Sequence, residues 1–145
     1  MKTLILSLTF LLVSLTATAQ EWAPDFATAE AEAAAADKAV VLVFSGSDWC
    51  APCIKLDREI WQDASFQEQA AADFVFYRAD FPRKKENQLP AELSASNGKL
   101  AEQYNRRGAF PLVVVLTPEG EVLGETGYQK VSPDEYLAVL TGFRK

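Results

Sequence analysis

The chain has 145 residues, two cysteines, no histidine and a formal net charge of -6. A surface this acidic is repelled by phosphate backbones and by anionic lipid, which argues against nucleic-acid and membrane-surface binding and is otherwise accounted for by solubility. Without histidine or a third cysteine the chain lacks the ligands of a structural zinc site, and no metal is expected.

Met1-Lys2 precedes an apolar stretch from Leu4 to Leu15 and then Thr16-Ala17-Thr18-Ala19-Gln20. A short basic start, an apolar run and an Ala-x-Ala site form a secretory signal pattern, with cleavage expected after Ala19. The alternative, a single membrane anchor, needs roughly 20 apolar residues, more than this run supplies. No cysteine lies near the cleavage site to carry a lipid. The expected product, 20–145, is exported to a periplasm or the exterior, is not inserted in the membrane, and has the size of one domain.

Ala27 to Ala36 is Ala/Glu-rich and reads as a helix. Ala39 to Ser45 is a continuous apolar, β-branched run suited to a strand buried on both faces. It leads through Gly46-Ser47-Asp48-Trp49 to Cys50-Ala51-Pro52-Cys53, after which Cys53, Leu56 and Ile60 recur at helical spacing, with Ile54 and Trp61 flanking that face. Ser65 and Glu68 have capping-box spacing for a short helix toward Ala72, and Phe74 to Asp80 is the next strand. The polar segment from Pro82 to Ser96 reads as a loop or insertion, and Lys99 to Asn105 as a helix with Leu100 and Tyr104 on one side. Leu112 to Thr117 and Glu121 to Gly127 form a hairpin around Pro118-Glu119-Gly120. The last helix has Ser132 as cap, Pro133 in its first turn, Glu135 completing the box, and a stripe of Tyr136, Val139, Leu140 and Phe143. After the first helix the order is therefore βαβαββα. It predicts an α/β fold with a central mixed sheet, helices on both faces, parallel crossovers where helices separate strands, and an antiparallel hairpin at the edge.

Two cysteines in an exported protein ordinarily staple distant segments. Here two residues separate them, and so short a loop removes little entropy from the unfolded chain, which leaves redox exchange as the use of the pair. A cysteine at a helix start lies against unpaired N–H groups and the positive end of the dipole, which lower a thiol pKa from roughly 8.5 to about 3.5–7.5. On this reading Cys50 attacks and Cys53, one turn on and facing inward, resolves. Trp49 reads equally as a core aromatic or as part of a docking surface. Pro52 fits a first-turn proline, and Asp48 and Lys55 read as solvated charge that also flanks the thiol.

The run Ser47-Asp48-Trp49-Cys50-Ala51-Pro52-Cys53 after an apolar strand, with Phe110-Pro111 before another, resembles the thioredoxin superfamily. It is similar in particular to exported thioredoxin-like proteins and to the C-terminal domain of transmembrane thiol:disulfide interchange reductases. The resemblance implies a thioredoxin-like fold over 20–145 and a thiol:disulfide oxidoreductase acting on protein thiols and disulfides. It implies a cis Pro111 beside the cysteines, substrate contact through Trp49, Ala51, Pro52, Phe110 and Pro111, and no bound cofactor. The Ala-Pro dipeptide, close to the Gly-Pro of thioredoxin, favours a reductant fed by a membrane thiol:disulfide reductase. A folding oxidase or isomerase, and a non-catalytic binding or chaperone module, are the alternatives. Two positions depart from the family pattern: Phe44 stands where many thioredoxins bury an acid, and Phe76 where the accompanying lysine is expected, which suggests a paired loss.

Overall fold

The computed structural model describes residues 20–145, so the signal sequence expected at 1–19 lies outside the described residues. α1 (Phe26–Ala36) starts where the Asp25 carboxylate accepts the Thr28 N–H at 2.7 Å, and ends at Asp37, whose left-handed backbone (φ 54°) turns the chain. β1 (Ala39–Ser45) is buried along its whole length. It pairs in parallel with β2 (Phe74–Asp80) and antiparallel with β3 (Leu112–Leu116), which pairs with β4 (Val122–Thr126), giving the order β2-β1-β3-β4. The outer edge of β2 is covered where the Ala23 N–H donates to the Phe76 carbonyl at 2.8 Å. The β3–β4 register slips between Val115 and Leu116.

Alternation along β1 divides the core. Val41 and Val43 pack with Leu56, Ile60, Trp61 and Phe66 from the segment after the cysteines, and with Tyr136 and Leu140 of α5 (Pro133–Phe143). Val40, Leu42 and Phe44 face the other way, onto Ala29 and Ala33 of α1 and Leu100 of α4 (Ala91–Tyr104). Helices therefore cover both faces, as the strand pattern predicts. The α5 cap is the expected box: Ser132 N–H donates to Glu135 Oε2 at 2.8 Å and Ser132 Oγ accepts the Glu135 N–H at 3.3 Å. Of its stripe Tyr136 and Leu140 are fully buried, while Val139 and Phe143 are half-buried.

Several expectations are corrected. The connection through α4 is not a parallel crossover. The stretch from Asn105 to Phe110 returns the chain to the cysteine end of the sheet, so Leu112 starts β3 opposite Phe44 and runs against β1. The segment from Pro82 to Ser96 is not all loop, because α4 begins at Ala91. Its polar first half is helical because Asn97 is buried by specific bonds, accepting from Tyr77 Oη at 2.5 Å and donating to the Asp80 carbonyl at 3.1 Å. Here tertiary contacts override weak propensity. Burial, with the Asp25 carboxylate adding, pushes the Tyr77 phenol up to about 12.

α2 (Ala51–Leu56) passes into a π-helical turn at Asp57–Trp61, which sets consecutive Ile60 and Trp61 into the core, while Ile54 is 42% exposed and does not flank the buried face. The Trp61 carbonyl accepts the Gln67 side-chain amide at 2.7 Å. Asp63, not Ser65, caps α3 (Ala64–Ala70), accepting the Phe66 N–H at 2.7 Å.

Replacing Asn97 by alanine strands the Tyr77 hydroxyl and the Asp80 carbonyl. Urea unfolding of Asn97→Ala should show a loss of about 1–3 kcal/mol, and an unchanged midpoint would mean that water reaches both groups.

Candidate active site

The cysteine pair stands where β1 ends. The Cys50 N–H donates to the Gly46 carbonyl at 2.9 Å, which turns the chain from β1 into α2. A Cβ at Gly46 would come within 2.3 Å of the Trp49 indole, so the turn needs glycine for close approach. Cys50 occupies the cap position of α2, and Pro52 lies in the first turn, where a missing N–H breaks no helical bond. Cys50 and Cys53 are joined by a disulfide, with Cα atoms 5.2 Å apart. The Cys50 sulfur also accepts the Cys53 N–H at 3.3 Å, so it holds the place a capping oxygen takes in other helices.

Burial does not distinguish the sulfurs in this oxidised state, since Cys50 is 4% and Cys53 3% exposed. Their helical positions do. The Cys50 sulfur accepts the Cys53 N–H at the helix start, whereas Cys53 lies within the first turn. Ala51 and Pro52 are exposed and form the outer rim.

The Phe110–Pro111 bond is cis, as the resemblance implies. The Phe110 ring meets Trp49 edge-on at 5.4 Å and Phe81 at 5.5 Å. Trp49, Ala51, Pro52, Phe110 and Pro111 thus gather at one end of the molecule with the two cysteines. Trp49 is half-buried and belongs to neither core cluster; its indole N–H donates to the Phe81 carbonyl at 2.8 Å. A shallow hollow of about 250 Å³ lies alongside, bounded by Pro111, Leu112, Gly127 and the Arg107–Glu125 ion pair.

Phe44 and Phe76 are both buried, but they are not a paired loss. Register sets Phe44 opposite Ala79 and Phe76 opposite Val41, so the two rings lie on opposite faces of the sheet. Phe44 stacks on Phe81, and Phe76 packs among Trp22, Trp61 and Phe66.

Sequence reasoning missed the loop after β2. Asp48 is not free surface charge: its carboxylate accepts the Arg83 N–H at 3.0 Å, the Lys84 N–H at 2.9 Å and the Asn87 side-chain amide at 3.1 Å. These donors, led by the Arg83 backbone, hold its carboxyl below the usual range. Asp80 receives Ser47 N at 2.9 Å and Ser47 Oγ at 2.6 Å, and the Arg83 guanidinium covers the Trp49 ring at 3.8 Å. The charged residues were visible in the sequence; their meeting required the pairing of β1 with β2.

A profile of the family described as thioredoxin-like matches residues 21–118. The chain belongs to that family. It is similar to a disulfide bond reductase, DsbH, of Chlamydia pneumoniae, with 35% identity over 101 residues, 70% of this chain and 59% of the relative. The match thus spans under two thirds of that relative's length. A solved DsbH oxidoreductase structure superposes with a TM-score of 0.80 at 28% identity, over 98% of this chain and 94% of the other. The oxidised C-terminal domain of DsbD from Neisseria meningitidis shares the fold, with a TM-score of 0.52 and 21% identity over 81% and 91% of the two chains.

The hold of Asp48 on the loop is complete above the ordinary aspartate pKa of about 3.9, and is lost as pH falls through its lowered value. The Trp49 indole N–H resonance should therefore shift in acid in the native protein and sit at the shifted position at neutral pH in Asp48→Ala. Coincident native and variant spectra at neutral pH would contradict this account.

Proposed function

We propose that this chain is an exported thiol:disulfide oxidoreductase that exchanges disulfides with proteins through Cys50 and Cys53, running as a reductant. The observation that carries the reading is the Cys50 sulfur serving as cap of α2, where the N–H that bonds the sulfur also favours its thiolate. The DsbH similarity supports the same chemistry and favours the reducing direction.

In the reduced enzyme the Cys50 thiolate attacks one sulfur of a substrate disulfide. A mixed disulfide forms, and the departing substrate thiolate takes a proton from solvent. Cys53 then loses its proton and attacks the Cys50 sulfur, releasing the second substrate thiol and closing the Cys50–Cys53 bond. Two electrons pass to the substrate. With phenylalanine at position 44, the Cys53 proton leaves to water. Ala51 and Pro52 give an apolar rim for the substrate segment, with the Trp49 and Phe110 rings beside it. The Phe110 backbone, held before Pro111, offers hydrogen bonds to an extended chain. Return to the dithiol requires an electron donor, for which a membrane thiol:disulfide reductase is the fitting class. Removal of 1–19 as a signal peptide accompanies export.

Reduced protein should precipitate insulin in a turbidity assay, and Cys50→Ser should abolish the activity. Cys53→Ser should instead accumulate mixed disulfides through Cys50. A folded, reduced wild type without activity would leave a binding module as the reading. The potential against glutathione should lie near about -270 mV, and a value near about -120 mV would make the protein an oxidant.

A further inference from the structure

The segment between β2 and α4 reads Phe-Pro-Arg-Lys-Lys-Glu-Asn-Gln-Leu-Pro from Phe81 to Pro90 and carries three cations against one acid in a chain of net charge -6. Arg83, Lys84 and Lys85 are all exposed. Among the described residues the ion pairs hold Arg78, Arg107 and Arg144, and none involves these three cations. The Asp48 carboxylate beside them is directed at two backbone N–H groups and the Asn87 amide. It fixes the loop backbone and forms no salt bridge with these side chains, although the Lys84 charge acts on it. The Arg83 guanidinium sits over the indole of Trp49, the residue before Cys50. The loop is thus a moored shelf at the rim of the disulfide, whose three exposed cations outnumber the Asp48 and Glu86 carboxylates beside them.

We infer that this shelf, formed by Arg83, Lys84 and Lys85 beside Trp49, docks an acidic polypeptide segment that flanks the disulfide of the protein substrate. The inference rests on the oxidoreductase reading and adds the kind of client. Charge placement makes the selection directional. An acidic client is repelled by the negative remainder of the surface and attracted at the shelf, so encounters are steered toward the cysteine end. Screening limits the reach to about 10 Å, which roughly three extended residues span, so the acids that matter lie within a few residues of the client cystine.

The test uses the reduced chain and two disulfide peptides that differ only in three residues beside the cystine, Glu-Glu-Glu or Lys-Lys-Lys. Rates are measured by stopped-flow tryptophan fluorescence, with neutral 2-hydroxyethyl disulfide as the reference. The acidic peptide should react about tenfold faster than the basic one at low salt, with the ratio collapsing toward one in 1 M salt. The ratio should invert in R83E/K84E/K85E and fall part of the way in K84Q/K85Q. Because each ratio is taken within one protein, a partly unfolded variant does not imitate inversion, and the wild-type salt series decides alone if a variant fails to fold. Parity between the peptides, or a ratio that neither salt nor charge reversal moves, overturns the docking role and leaves the oxidoreductase reading standing. Failure to react even with the neutral disulfide overturns both. Sedimentation with phosphatidylserine-rich vesicles, without peptide discrimination, assigns the shelf to a lipid surface and overturns the proposal.

Discussion

The parallel pairing of β1 with β2 is the constraint on which the site depends. It brings the two strands to an end side by side at Ser45 and Asp80, and the contact continues past the sheet. The Phe81 N–H donates to the Ser45 carbonyl at 2.9 Å, Asp80 takes both polar groups of Ser47, and the Trp49 indole reaches the Phe81 carbonyl. Asp48 then gathers the next backbone N–H groups. The cysteine turn and the loop after β2 are laced together by bonds that exist only because the strands run in the same direction. Such charge-assisted bonds to backbone N–H are the strong members of their class.

Much of this could be read from the amino acids alone. β1 and β2 have the bounds their apolar runs predict; β1, buried on both faces, leaves an unbroken hydrophobic signature, whereas β2, at the sheet edge, alternates buried and half-buried positions. The terminal helix was equally legible, since its caps are chemistry local to four residues. What escaped was non-local. Asn97 in a polar run gave no helical stripe, yet partners on β2 bury it. The π turn at Asp57–Trp61 has no periodic signal, and its consequence is that Ile60 and Trp61 are both buried, while Ile54, upstream in the regular α2, faces outward. The direction of β3 depends on the irregular stretch from Asn105 to Phe110, whose path no local pattern states.

The site divides along the same line. The motif and the family resemblance point to Trp49, Cys50, Cys53, Phe110 and Pro111 as one site; the structure sets the Trp49 ring against Phe110 and joins the two cysteines. The relation of Phe44 to Phe76 was misjudged because strand register, not distance from the motif, decides which face a residue occupies. Asp48, read as solvated charge, organises a neighbouring loop 35 and 36 residues later in the chain.

The slip in register between β3 and β4 has a consequence for the molecule among its own copies. β4 is a five-residue outermost strand with Val122 and Leu123 exposed, the kind of margin on which another chain could add itself. Because the register slips beside Leu116 and Val122, that margin is not regular, and the Arg107–Glu125 ion pair lies further along it. An irregular edge of this kind offers a second strand a bent backbone instead of a straight row of donors and acceptors, which is how sheet margins in general discourage the addition of further chains.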